Sequence, residues 1–149
     1  MAAPSTYAYK NVVGSFTDPD VGTYVFQGQV GIKHVMVSNT VDRGVIDISA
    51  DGAAMVSYIA GANGGIQIEM QQTSSLHEFL TNYANTKFTN ADNGNAANFA
   101  AAAIKFQDLL SGQSKTLTGV FPVKIPDVPY GERGASVTWQ LLAALVVSQ

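Results

Sequence analysis

The sequence predicts a mainly β protein, an antiparallel β-barrel or β-sandwich with one flanking α-helix. Three observations carry this expectation. Turn-forming residues recur at short intervals, in Asp18-Pro19-Asp20, Asp51-Gly52, Asn63-Gly64-Gly65, Ser111-Gly112 and Tyr130-Gly131. Between them lie short runs rich in β-branched and aromatic residues, several alternating apolar with polar. One segment carries a convincing apolar stripe at helical spacing, behind a residue able to cap it.

Taken in order, 12–26 and 30–38 predict the first strands. Run 43–51 alternates, with Ile46 and Ile48 opposing Asp47 and Ser49. Run 55–60 follows the Asp51-Gly52 turn, a hairpin signal because these residues accept the positive φ of a tight turn. The clearest strand is 66–72. Ile66, Ile68 and Met70 alternate with Gln67, Glu69 and Gln71, so one face is apolar and the other polar. These three runs are expected to pair as a meander, with Ile46 and Ile48 turned to the core.

Thr73 or Ser74 then caps a helix in which Leu76, Phe79, Leu80 and Tyr83 form the stripe. Glu78 in its first turn favours the helix dipole. Residues 85–95 read as a polar loop. Residues 96–110 admit two readings: helix by alanine propensity, or a hairpin in which 103–109 and 116–123 flank Ser111-Gly112. Pro122, Pro126 and Pro129 bracket a rigid extended connection. The last strand, 135–147, first sets Val137, Trp139 and Leu141 against Ser136, Thr138 and Gln140, then turns wholly apolar. That change predicts an end buried on both faces.

A length of 149 residues suggests a single domain, 1–149, large enough to bury a core. The absence of cysteine excludes disulfides, thiolate metal sites and cysteine nucleophiles, and fits assembly in a reducing cytoplasm. The net charge is −3, and only 13% of residues are charged. That is about half the usual share of roughly 25%. So bland a surface is explained if subunit contacts bury much of it. The N-terminus lacks the basic start and apolar run of a signal peptide. No run approaches the roughly 20 apolar residues needed to span a bilayer. Arg43 and Arg133 stand alone and the lysines are scattered, so tight nucleic-acid binding is not expected.

Candidate chemistry is sparse. His34 and His77 are the two histidines, far short of a converging ligand set, and a structural role is expected for both. Ser75, His77 and Asp92 supply the letters of a catalytic triad without a nucleophile elbow. Asp18-Pro19-Asp20-Val21-Gly22 lacks the later acidic ligands of a calcium loop and reads as a turn. Gly28 and Gly31 lack the context of a nucleotide fingerprint. No catalytic residue, metal or cofactor is therefore assigned.

The ordered set of segments is more informative than any motif. Tyr9-Lys10-Asn11-Val12-Val13-Gly14-Ser15-Phe16 leads the short strands. Asp42-Arg43-Gly44-Val45-Ile46-Asp47-Ile48-Ser49-Ala50-Asp51-Gly52 follows, then Gly64-Gly65-Ile66-Gln67-Ile68-Glu69-Met70 and the capped helix. Tyr130-Gly131-Glu132-Arg133-Gly134-Ala135-Ser136-Val137-Thr138-Trp139 closes the series. This order resembles the tail tube proteins of contractile-tailed bacteriophages over nearly the whole chain.

The resemblance implies a non-enzymatic, ring-forming virion structural protein. Six copies would form a ring, rings would stack into a tube, and DNA would pass through the lumen without specific binding. Partners would be the chain itself, the sheath, the baseplate and the tail terminator, in a virion tail assembled in the bacterial cytoplasm. It also favours strand for the later half of 96–110. A tube of a related injection machine, such as a phage-like bacteriocin or a type VI secretion system, shares the same physics. A carbohydrate-binding β-sandwich would expose aromatics around a groove, whereas Trp139 sits at a core position. A small hydrolase would need a polar constellation that is not seen.

Two surfaces follow as expectations. Ser38, Asn39, Thr40, Asp42 and Arg43 form a polar stretch expected at a ring-to-ring contact. Asp47, Ser49, Gln67, Glu69 and Gln71, the polar faces of the two best-alternating strands, are expected to face the lumen. None is basic, and a basic wall would hold DNA.

Overall fold

A computed structural model of the chain describes residues 4–27 and 31–149. A short 3₁₀ turn at Tyr9–Asn11 leads into β1 (Val12–Asp18) and β2 (Gly22–Gln27). Then come β3 (Ile32–Asn39), β4 (Gly44–Ile48), β5 (Ala54–Tyr58) and β6 (Gly64–Gln71). Helix α1 (Ser75–Asp92) precedes β7 (Ala102–Asp108), β8 (Ser114–Pro122) and β9 (Ser136–Ser148). Val30 and Gly28 lie outside the described residues.

Seven strands make one antiparallel sheet in the order β2-β1-β7-β8-β9-β6-β3, curled into a half-barrel. The expected mainly β fold with a flanking helix is what forms. Helix α1 lies against one face. Phe16 packs edge-on against Tyr83 at 4.8 Å and against Phe79 at 5.4 Å, geometries that aromatic rings favour. Ile66, Ile68, Met70, Ile104, Leu117, Val137, Trp139 and Leu141 complete the buried layer. Every second residue of β6 and of the first half of β9 enters it, as the alternation predicted.

Ser74 caps α1, its hydroxyl accepting from the Leu76 N–H at 3.2 Å. The segment expected to be a loop, 85–95, instead continues the helix to Asp92. Its polar letters lie mostly on the outer face, while Ala84 and Lys87 stay buried and extend the inner stripe. The end is set by Gly94 at φ +83°. The Gly94 N–H reaches the Ala91 carbonyl at 3.1 Å and the Asn95 N–H reaches the Asn90 carbonyl at 2.8 Å, a left-handed helix stop. Of residues 103–109 all but Leu109 lie in strand β7, and β7 and β8 pair as the hairpin reading required.

The expected meander does not form. β4 and β5 pair only with each other, as a separate two-stranded sheet, and β6 pairs with β3 and β9. β3 and β9 supply the apolar faces that continue the β6 layer, whereas β4 and β5 contribute nothing buried. Ile46 and Ile48 accordingly do not reach the core; they are 61% and 58% exposed. The end of β9 is not buried on both faces either. Leu145 and Val147 are exposed, because α1 covers one face of the sheet only.

Gly64 shows how tightly β3 and β6 meet. A Cβ there would stand 2.0 Å from the Ser38 carbonyl oxygen, so no other residue fits this backbone.

Candidate assembly surfaces

The β4–β5 arm is the least core-like part of the molecule. Its strands pair from Gly44↔Tyr58 to Ile48↔Ala54. The tip turns at Gly52, at φ +89°, where the Ser49 N–H bonds the Ala53 carbonyl at 2.9 Å and Asp51 Oδ1 accepts from the Ala53 N–H at 3.1 Å. The base is tied by Thr40 N–H to the Asn63 carbonyl and by Ile59 N–H to the Arg43 carbonyl. Alternation places Ile46, Ile48, Val56 and Tyr58 on one side and Val45, Asp47, Met55 and Ser57 on the other. All these positions are exposed, Val56 at 75% and Tyr58 at 73%. An isolated two-stranded hairpin is marginal in water, and contiguous exposed apolar surface of this kind marks a contact site.

The five polar residues expected at a ring contact cluster at the foot of this arm. Ser38 and Asn39 end β3, Thr40 and Asp42 lie in the connection, and Arg43 precedes β4. The Arg43 guanidinium hydrogen-bonds the Tyr58 hydroxyl and lies 5.3 Å from its ring centroid. It is therefore oriented by the arm.

The residues expected at the lumen divide between two places. Gln67, Glu69 and Gln71 lie on the face of the seven-stranded sheet that α1 leaves open. Glu69 stands between His34 and Thr138, and Gln67 between Met36 and Gln140. Asp47 and Ser49 belong to the arm, Ser49 just beyond the end of β4.

A largely buried polar cluster joins the helix to the turn after β1. Lys87, 1% exposed, places Nζ 2.8 Å from Asp18 Oδ1 and 2.8 Å from Asp20 Oδ2, and donates to the Asn98 carbonyl at 2.8 Å. The Asp18 contact is an ion pair without aligned hydrogen-bond geometry. Burial pulls the Lys87 pKa down, but the close Asp18 carboxylate, the hydrogen bond to Asp20 and the charges of both outweigh it, leaving it above the ordinary lysine value. The hydrogen bond from Lys87 holds Asp20 below the usual carboxylate range. Asp18 Oδ2 accepts from the Asp20 and Val21 N–H groups, so this stretch is the turn that was expected. Burial, with the nearby Asp18 charge, pushes the Tyr83 phenol up. Sequence reasoning missed this cluster, because Lys87 lies far along the chain from Asp18 and Asp20.

The triad letters do not converge. The Ser75 hydroxyl meets the Tyr24 hydroxyl at 2.5 Å, while His77 Nδ1 accepts from the indole of Trp139. Asp92 ends the helix. Among the described residues, no group of three or more His, Asp or Glu could hold a metal ion. No described helix is long and apolar enough to cross a membrane.

Comparison with known proteins resolves the family. The family model described as the bacteriophage PhiTE tail tube protein matches residues 4–148. The chain belongs to that tail tube family. It is thus a structural subunit of a tail tube, as the ordered segments implied. No curated protein matches it in sequence.

Several solved structures share the fold of this tail tube protein. One is a sheath/tube terminator of an extracellular contractile injection system in the extended state. It is 11% identical, covers 99% of each chain and has a TM-score of 0.57. Another is the tube-terminating cap of the anti-feeding prophage, at 12% identity, 100% and 94% coverage, and TM-score 0.56. A third is the sheath–tube complex of the first system, at 12% identity, 97% and 91% coverage, and TM-score 0.54. At these identities the likeness is one of fold.

Proposed function

We propose that this tail tube protein assembles as hexameric rings that stack into a tube, and that DNA leaves the capsid through its lumen. The observation that carries the reading is the β4–β5 arm. Its apolar residues point to both sides with no core beneath them, as expected of an element completed by another copy. Ser38, Asn39, Thr40, Asp42 and Arg43 serve the contact between successive rings. Arg43 is positioned to reach a carboxylate across it, a charge-assisted contact that also fixes register. Gln67, Glu69 and Gln71, with Asp47 and Ser49 of the arm, line the channel. The tube meets sheath, baseplate and terminator in the tail, and performs no catalysis and needs no cofactor.

Electron microscopy of the purified protein with its tail initiation proteins tests this. Stacked rings support the reading, and a monomer that persists at high concentration overturns it. A second reading, the tube of a related contractile injection machine, is favoured by the solved structures that share the fold, which come from such machines. Capsid and packaging genes beside the coding sequence separate the two.

A further inference from the structure

Asn-Gly occurs twice in this chain, at Asn63-Gly64 and Asn93-Gly94, and Asp-Gly once, at Asp51-Gly52. In each, the backbone nitrogen of the glycine can attack the side-chain carbonyl before it, because glycine carries no Cβ to hinder the approach. The fold gives the three very different freedom to do so.

Asn63-Gly64 is locked. Gly64 is buried in the ladder between β3 and β9. The Asn63 carbonyl accepts from the Thr40 N–H at 3.0 Å, and the Ala62 carbonyl from the Val146 N–H at 2.7 Å. This peptide unit cannot turn toward the Asn63 side chain without opening the sheet. Asp51-Gly52 is exposed, but its carboxylate accepts from the Ser49 hydroxyl and, at 3.1 Å, from the Ala53 N–H. These bonds hold Asp51 below the usual carboxylate range. An ionised carboxylate offers no good leaving group and resists the attack.

Asn93-Gly94 has neither protection. Asn93, Gly94 and Asn95 are exposed, and nothing lies within 4 Å of where a Cβ on Gly94 would stand. The Gly94 N–H bonds the Ala91 carbonyl at 3.1 Å, at the end of α1. Bonds at an exposed helix end open readily. Asn95 is a built-in comparison, since it is exposed too but followed by Ala96, whose Cβ hinders the attack.

We propose that Asn93 is a site of spontaneous deamidation that loosens the end of α1. The Gly94 nitrogen bonds to the Asn93 side-chain carbonyl carbon, and the bond from that carbon to Nδ2 breaks. Ammonia leaves, carrying the proton of the Gly94 amide, and a cyclic succinimide remains. Water then opens the ring. Opening at the side-chain carbonyl gives aspartate, and opening at the main-chain carbonyl gives isoaspartate, whose backbone is one methylene longer. The reaction needs only water, and it holds for the single chain whatever that chain assembles into. Either product places a new carboxylate beside Asp92, at the negative end of the helix dipole, where the last turn has no basic residue. Isoaspartate also displaces the Gly94 and Asn95 N–H groups that close the helix. The loosened stretch leads to the Asn98 carbonyl, which accepts from Lys87.

The purified chain is aged in mildly alkaline buffer, folded and in urea. Its peptides are then mapped by mass spectrometry, with isoaspartate counted by enzymatic methyl labelling. In urea Asn63 and Asn93 should convert at similar rates. In the folded chain Asn93 is expected to outrun Asn63, Asn95 and Asp51 by at least about tenfold. Equal conversion of Asn63 and Asn93 in the folded chain would overturn the assignment, as would an intact Asn93 when the unfolded chain is fully converted. Asn93→Asp supplies the simpler product without ageing. Its Tm should fall by about 1–4 °C at low salt, and the deficit should shrink as salt screens the dipole. A variant that melts with the unmodified chain at every salt concentration would overturn the effect on α1.

Discussion

The indole N–H of Trp139, at the centre of the buried layer, donates to His77 Nδ1 on α1 at 2.9 Å. Trp139 is fully buried. The bond requires neutral His77, because a doubly protonated ring has no acceptor. Burial already holds the His77 pKa below the ordinary histidine value.

The first prediction is a loss of stability in mild acid. The folded-state pKa is depressed, so the contribution is full above the unfolded value of roughly 6.5 and is lost as pH falls through the lower folded value. An unsatisfied buried donor costs about 1–3 kcal/mol. For a chain of this size that lowers Tm by about 2–4 °C per kcal/mol. Thermal melts of the unassembled protein from neutral pH down to mild acid should show the drop. A His77→Gln variant, whose side-chain oxygen can accept at any pH, should flatten it. Equal slopes in both proteins would remove His77 as the cause.

A second prediction concerns the Lys87 cluster. Lys87→Met leaves the buried Asp18 carboxylate without its cation, a situation that costs about 3–5 kcal/mol. Pairing it with Asp18→Asn should restore part of that loss, since the uncompensated charge is gone. Urea denaturation of the two single variants and the double variant gives the coupling directly. Purely additive losses would mean that the pair acts through packing alone.

How much of this was legible beforehand depends on how local the cause is. The Ser74 cap and the alternation from Ile66 to Gln71 are written in adjacent residues, and both are found as read. The end of α1 was misplaced because Lys87 looks like a surface residue. Only Asp18 and Asp20, distant in sequence, make its burial tolerable. Gly94 was an available stop signal. The β4–β5 arm shows a different limit. Alternation in Ile46-Asp47-Ile48 says that two faces differ, but not that either meets a core in the same chain. For an element whose burial comes from another copy, that distinction is absent from the pattern. The open face of β6 has the same ambiguity, since any wet surface accepts Gln67, Glu69 and Gln71.

The third prediction follows from the arm's exposure. Ile46→Lys with Val56→Lys should leave the Tm of the unassembled chain unchanged, because both side chains are already in water. Burying each large apolar chain is worth about 1.5–3 kcal/mol, so losing two raises the concentration needed for assembly at least about 100-fold. Light scattering across a dilution series measures this. Unaltered assembly would show that the arm is not a contact.

The fourth prediction asks which wet surface the open face meets. Glu69 lies on β6 between His34 and Thr138, and Asp47 lies on the arm, paired across it with Met55. If both line the channel, Glu69→Lys with Asp47→Lys replaces two negative charges per copy by two positive ones, repeated in every ring. Rings should still assemble, because neither side chain makes an ion pair among the described residues. DNA passing the altered wall then meets an array of ammonium groups, and phosphate contacts supply most non-specific affinity. Ejection should slow by on the order of tenfold at low salt and recover as salt rises, since counterion release drives such contacts. The single variants divide the effect between sheet and arm. Slowing by Glu69→Lys alone would place the open sheet face at the lumen and the arm elsewhere. Normal ejection from particles carrying both lysines would put these residues outside the channel, against sheath or solvent.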